Sequence, residues 1–159
     1  MKLDVPFYKQ DTDYTCGPAS LQMVMDFLGE FRSEKKLAKE ANTLSTRGTK
    51  HGGLMEAVSK EGFYSYVNKN SNVEEIKHFL KMGLPVIVDI TAEKEGHYAV
   101  AVGFKDGKII LNDPWYGKGV KKPEKEFMEN WHDENFRNWI MVISDKDFNL
   151  GKQYKPASK

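Results

Sequence analysis

Between Thr15 and Gly29 the apolar positions Leu21, Val24, Met25 and Leu28 recur at helical spacing, and Met23 and Phe27 add a second apolar flank. The pattern predicts a buried central helix. Gly29 stands where a left-handed cap closes it, and Ser33 is placed to cap a short charged helix that turns Leu37, Ala38 and Ala41 inward. Residues 42–50, NTLSTRGTK, have the composition of a loop, and a helix is expected from about Gly53 to Glu61, ended by Gly62. Asn72 with Glu75 resembles a capping pair ahead of Val73, Ile76, Phe79 and Leu80, with Gly83 and Pro85 closing that helix.

From Leu84 the period changes. PVIVDI, HYAVAVGF and KIILND are short runs rich in β-branched and aromatic residues, divided by turn residues, and read as strands. A last helix carries Phe127, Met128 and Trp131, and WIMVIS (139–144) returns as a strand. Helices first and strands afterwards predict an α+β domain, a central N-terminal helix packed on an antiparallel sheet, over residues 1–147. Residues 148–159 read as a polar C-terminal tail.

The chain of 159 residues is one domain's worth. With 24 basic and 23 acidic residues its formal charge is +1, so no field gathers nucleic acid or an anionic membrane. The longest apolar runs fall far short of the ~20 residues of a spanning helix, which excludes membrane insertion from the expectations. MKLDVPFYKQ has an acid and a proline where a signal peptide has its apolar core, so the sequence as given reads as cytoplasmic; a trimmed secreted form would read the same, since one cysteine forms no internal disulfide in either compartment. His51, His78 and His132 lack ligand-like spacing and read as surface histidines, leaving neither metal nor cofactor expected. Gly52-Gly53 reads as a flexible start to its helix, and Lys118 to Lys125 as a solvated basic loop. Trp115 and Tyr116 either wall a cleft or are core aromatics.

Four positions carry candidate chemistry. Cys16 opens the central helix, where unpaired N–H groups and the positive dipole end favour a thiolate, although a lone cysteine is more often a small buried hydrophobe. His97 opens HYAVAVGF and shares its face with Ala99, Ala101 and Gly103, small residues that let another backbone approach; the Cys16 helix is expected to cross that face and bring its N-terminus to the histidine. Asp113 ends the next strand. If Asp106-Gly107 forms a two-residue turn, Asp113 points away from His97 unless a bulge intervenes, whereas a three-residue loop puts it opposite Ala99, on the histidine's face. Asn-Asp-Pro is also an ordinary turn composition. Gln10, six residues before the cysteine, has an amide able to donate to an oxyanion beside the Cys16 N–H, or simply to water.

The run DVPFYKQDTDYTCGPASLQMVMDFLG, then GHYAVAVGF, then ILNDPW, resembles family thirty-nine of the cysteine peptidases, in the papain-like clan CA. The resemblance also takes in GLPVIVDI and EFMENW, nearly the whole chain. It implies a papain-like fold with Cys16 as nucleophile, His97 as base, Asp113 as orienter and Gln10 as oxyanion donor, acting on a peptide or protein substrate. Its best-known members remove double-glycine leaders from bacteriocins as N-terminal domains of export transporters. This sequence carries neither a membrane segment nor a GxxxxGK[ST] nucleotide loop and is closer to stand-alone domains of the family. Acyl transfer through the same thioester, or peptide binding without chemistry, are the alternative functions.

Overall fold

The computed structural model describes all residues except 94, 134–135, 151–152 and 158–159. Its elements, in chain order, are α1 (Cys16–Phe27), α2 (Glu34–Glu40), α3 (His51–Lys60), β1 (Tyr64–Asn68), α4 (Val73–Lys81), β2 (Val86–Ala92), β3 (Glu95–Lys105), β4 (Lys108–Asp113), β5 (Gly117–Pro123), α5 (Glu124–Asn130), β6 (Ile140–Ser144) and β7 (Gln153–Tyr154). Among the described residues these make one seven-stranded sheet in the order β5-β4-β3-β2-β6-β1-β7. Every neighbouring pair is antiparallel. The α+β expectation holds. No helix among the described residues is long and apolar enough to cross a membrane.

The caps sit where the side chains predict. Ser33 accepts the Lys36 N–H at 3.2 Å and Asn72 accepts the Glu75 N–H at 2.8 Å, each satisfying a donor the first helical turn leaves open. Glu75 does not reach back to its cap; its carboxylate takes hydrogen bonds from Ser71, Tyr66 and Asn68 and ties α4 to β1.

The sheet has a helical layer on each face. Leu21, Met23, Val24 and Met25 of α1, with Leu54 and Val58 of α3, pack on Tyr98, Val100, Val102, Ile87, Met141 and Ile143. Ile76, Phe79 and Leu80 of α4, with Phe127 and the adjacent Trp131, pack on Ala99, Ala101, Val86, Val88, Ile140 and Val142. The Cys16 helix therefore crosses the large-residue face of β3, contrary to the expectation from Ala99, Ala101 and Gly103. The small side chains make room for bulky aromatic rings instead, conserving core volume on the α4/α5 side.

Other segments also differ from expectation. Residues 64–68 and 117–123 are strands; the second, an edge strand studded with Lys118, Lys121 and Lys122, replaces the solvated loop read from its charge. Gly52 and Gly53 lie inside α3, and a Cβ at Gly53 would run into the Ala41 carbonyl, so this glycine serves close packing rather than flexibility. Within the polar tail, of which residues 151–152 and 158–159 lie outside the described residues, Phe148 packs near Phe79 and Tyr66, and β7 pairs with β1.

Candidate active site

Cys16 is the first residue of α1. Thr15, the residue before it, makes no side-chain cap, and the first turn holds no acidic residue, so no side chain neutralises the positive end of the helix at the sulfur. Thr15 instead joins Thr12, accepting its N–H at 3.2 Å and sharing a 2.8 Å hydroxyl contact with it. The Cys16 carbonyl is held by the Ser20 hydroxyl at 2.8 Å, and the sulfur accepts the Tyr98 N–H at 3.5 Å. The helix end thus comes down on the start of β3, beside His97.

His97 is buried, with its Nε2 2.7 Å from Asp113 Oδ1. The Cys16 sulfur sits next to it, on the N–H of the following residue, Tyr98. Burial opposes the imidazolium, but the hydrogen bonds and charges of Asp113 and Cys16 outweigh it and push the ring up to about 10. Asp113 moves the other way: burial would raise it, yet the bond to His97 and the N–H groups of Trp115 and Tyr116 hold it below its ordinary value. Those N–H groups donate to the same Oδ1 at 2.9 and 3.1 Å, so the carboxylate is locked by its own turn. The buried ring and carboxylate thus hold each other in direction, and each favours the other's charged form.

Asp113 reaches the histidine by the first sequence alternative, a two-residue turn rescued by a bulge, and not by the three-residue loop. Asp106 and Gly107 form a two-residue turn, both with positive φ (52° and 73°). The register then shifts between Ala101 and Gly103, leaving Val102 as a bulge, so that Val100 pairs with Asn112 and Asp113 falls on the histidine's side. Asn112, on the opposite face, donates to the Val5 carbonyl at 3.1 Å.

Gln10 is buried in the loop ahead of α1. Its backbone N–H donates to the Pro114 carbonyl at 2.9 Å, joining the loop to the Asp113 turn, and its amide nitrogen donates to the Thr12 carbonyl at 2.7 Å. Sequence reasoning missed what fixes this loop: Glu34, the first residue of α2, is buried and accepts the Asp11 N–H. Its burial pushes the carboxyl up to about 7. An acid at a helix start is ordinary in sequence, so no signal marked it. Trp115 and Tyr116 are exposed, which places them at the rim rather than in the core; the Tyr116 ring meets His97 edge-on at 6.3 Å.

His51 is not a surface histidine. Its side chain is 13% exposed and meets Asp89 and Asp133. The sequence signal was the aspartate inside the apolar run PVIVDI. His132 is also engaged, with Nδ1 3.1 Å from the Thr91 hydroxyl.

A family model described as the peptidase C39 like family matches residues 2–139. An uncharacterized protein of Methanothermobacter marburgensis is 30% identical over 117 residues, 72% of this chain and 75% of its own length. Among solved structures, the peptidase domain of Streptococcus ComA, a bi-functional ABC transporter involved in quorum sensing, superposes with a TM-score of 0.75 at 23% identity, covering 87% of this chain and 97% of that one. A putative C39-like peptidase from Bacillus anthracis gives 0.76 at 18% identity, with coverage of 92% and 99%. A double glycine motif protease from an AMS/PCAT transporter, solved in complex with its leader peptide, gives 0.70 at 24% identity, with coverage of 89% and 92%.

Proposed function

Because this chain belongs to the peptidase C39-like family, we propose that it is a cysteine peptidase in which Cys16 is the nucleophile, His97 the base and acid, Asp113 the orienter and Gln10 an oxyanion donor. The observation that carries the reading is the His97 ring, held 2.7 Å from Asp113, with the Cys16 sulfur on the N–H of the very next residue, Tyr98, at 3.5 Å.

With Nε2 engaged by Asp113, Nδ1 is the ring atom left for the sulfur. The imidazolium held by Asp113 keeps the proton away from sulfur, and the thiolate attacks the substrate carbonyl. The oxyanion that forms lies at the positive end of α1, where the Cys16 N–H and the second Gln10 amide hydrogen donate to it. His97 then gives its proton to the leaving amine, the C–N bond breaks, and a thioester remains on Cys16. Water, deprotonated by the now neutral His97, attacks the thioester; the carboxylic acid leaves and the thiolate–imidazolium pair returns. The substrate is a peptide or protein. The complex of the transporter protease with a leader peptide supports a peptide substrate, and its double glycine motif supports cleavage after a small residue such as glycine.

A peptide library incubated with the purified chain tests this. Cleavage that disappears with Cys16→Ala supports the proposal. If no peptide is cut while Cys16 is alkylated by iodoacetamide at mildly acidic pH, acyl transfer to another acceptor replaces hydrolysis; if Cys16 is also inert, the chain is a binding module.

A further inference from the structure

A second cluster lies on the α1/α3 face of the sheet, apart from the Cys16 chemistry. His51 begins α3, Asp89 lies in the middle of β2, and Asp133 follows α5. The three converge on one point: His51 Nε2 is 2.6 Å from Asp89 Oδ2 and 3.3 Å from Asp133 Oδ2, and one ligand atom from each residue falls within 4.8 Å of the others. Asp89 is buried, and the side chains of His51 and Asp133 are 13% and 17% exposed.

Packing around the cluster is aromatic. The Trp139 ring stacks on His51 at 4.1 Å and 14°, Phe136 lies at 5.1 Å, and the Tyr98 ring meets it edge-on at 6.0 Å. An apolar collar leaves little water to screen two carboxylates. An imidazole carries one hydrogen on Nε2 and directs it squarely at one acceptor, yet two carboxylate oxygens approach that same atom. Three lone-pair donors aimed at one locus are what a cation asks for: bonds of about 2.0–2.2 Å in tetrahedral array put ligand atoms about 3.4 Å apart. The His51–Asp133 spacing of 3.3 Å is close to that value and the His51–Asp89 spacing of 2.6 Å is shorter, so Asp89 must draw back somewhat to admit an ion.

We infer that His51, Asp89 and Asp133 form a binding site for a divalent transition-metal cation, with zinc the first to test. The mixed nitrogen and carboxylate set suits Zn²⁺ or Mn²⁺ over Mg²⁺, which prefers an all-oxygen shell. The ion joins three elements distant in sequence, the start of α3, the middle of β2 and the segment after α5. Asp89 pairs with Tyr98, whose N–H bonds the Cys16 sulfur, so the ion is a structural clasp next to the peptidase centre and takes no part in its reaction.

The test uses untagged full chain carrying Cys16→Ser, so that the thiol cannot compete for metal. Protein stripped with a chelator is titrated calorimetrically with ZnCl2, with MnCl2 and with MgCl2, and its thermal unfolding is followed with and without one equivalent of each. One equivalent of Zn²⁺ is expected to bind and to raise the unfolding midpoint, Mn²⁺ to bind more weakly and Mg²⁺ not to bind. His51→Ala and Asp133→Asn should each weaken Zn²⁺ by at least tenfold; Asp133→Asn preserves shape and carries the test if the alanine variant does not fold. Co²⁺ in the site should give a visible spectrum without a thiolate charge-transfer band. Absence of saturable Zn²⁺ binding, or binding unchanged in both variants as expected for capture by His78 or His132, overturns the inference.

Discussion

The Glu34 carboxylate receives the backbone N–H of Asp11 at both oxygens, 3.0 and 3.3 Å away, and so pins the loop that carries Gln10 to the start of α2. Burial raises this carboxyl from its ordinary 4.5 to about 7. Because the folded value is raised, its contribution to stability is fully present below about pH 4.5 and is lost as pH rises through about 7. Urea unfolding between pH 5 and 8 should show stability falling on the order of 1 kcal/mol more in the wild type than in Glu34→Gln, which has no proton to lose. Equal slopes in the two proteins would remove Glu34 from the account.

Asp113→Asn should keep the fold and lower cleavage by about 10²–10⁴-fold, because an amide neither holds the imidazolium nor fixes its tautomer. His97 titrates at about 10 beside the aspartate, so its stabilising contribution is fully present below the ordinary 6.5 and lost as pH rises through about 10. In the variant the ring should titrate at lower pH and the alkaline loss of stability should begin earlier. Proton NMR of the His97 ring reads the first effect directly; an unmoved midpoint contradicts the role given to Asp113.

Gln10→Ala should reduce kcat by about 10²–10³ with a smaller change in KM, since an oxyanion donor acts on the transition state more than on bound peptide. A change confined to KM would make Gln10 a substrate contact instead.

Gly53→Ala should destabilise the domain by about 1–3 kcal/mol, seen as a lower urea midpoint with an unchanged slope, because the added methyl meets the Ala41 carbonyl where α3 closes on the segment after α2. Gly52→Ala, with open space beside it, should be close to neutral or stabilising.

The central helix, the α4 cap and the HYAVAVGF strand were legible because each has a period or a capping pair long enough to stand above chance. The face of β3 that α1 would choose was not: Ala99 and Ala101 admit either a close helix or large rings, and the choice fell to Phe127 and Trp131, which follow them by more than twenty positions. β5 was hidden by its position, since an edge strand rich in lysine lacks the apolar alternation that marks an inner one. Cys16 and His97 were readable from local context, while the clasp of His51 with Asp89 joins residues 38 apart and leaves no local mark beyond one acid in an apolar run. The two-residue turn could be read from Asp106-Gly107, but the bulge at Val102 is held by Leu3, far away in sequence, whose N–H bonds the Val102 carbonyl at 2.8 Å.

That bulge gives the hairpin a spare tooth. One extra residue on β3, or one extra residue in the turn, brings Asp113 to the same side of the sheet, so the two devices are interchangeable in their effect on the histidine. Hairpin length alone is therefore a poor guide to whether the aspartate reaches its partner. The cost of the version used here falls at the N-terminus: Lys2 bridges Gly103, where any side chain would strike the Met1 carbonyl. Removing the Leu3 contact, as Leu3→Pro would, should thus loosen the register of the β3–β4 pair and with it the alignment of the aspartate on the histidine.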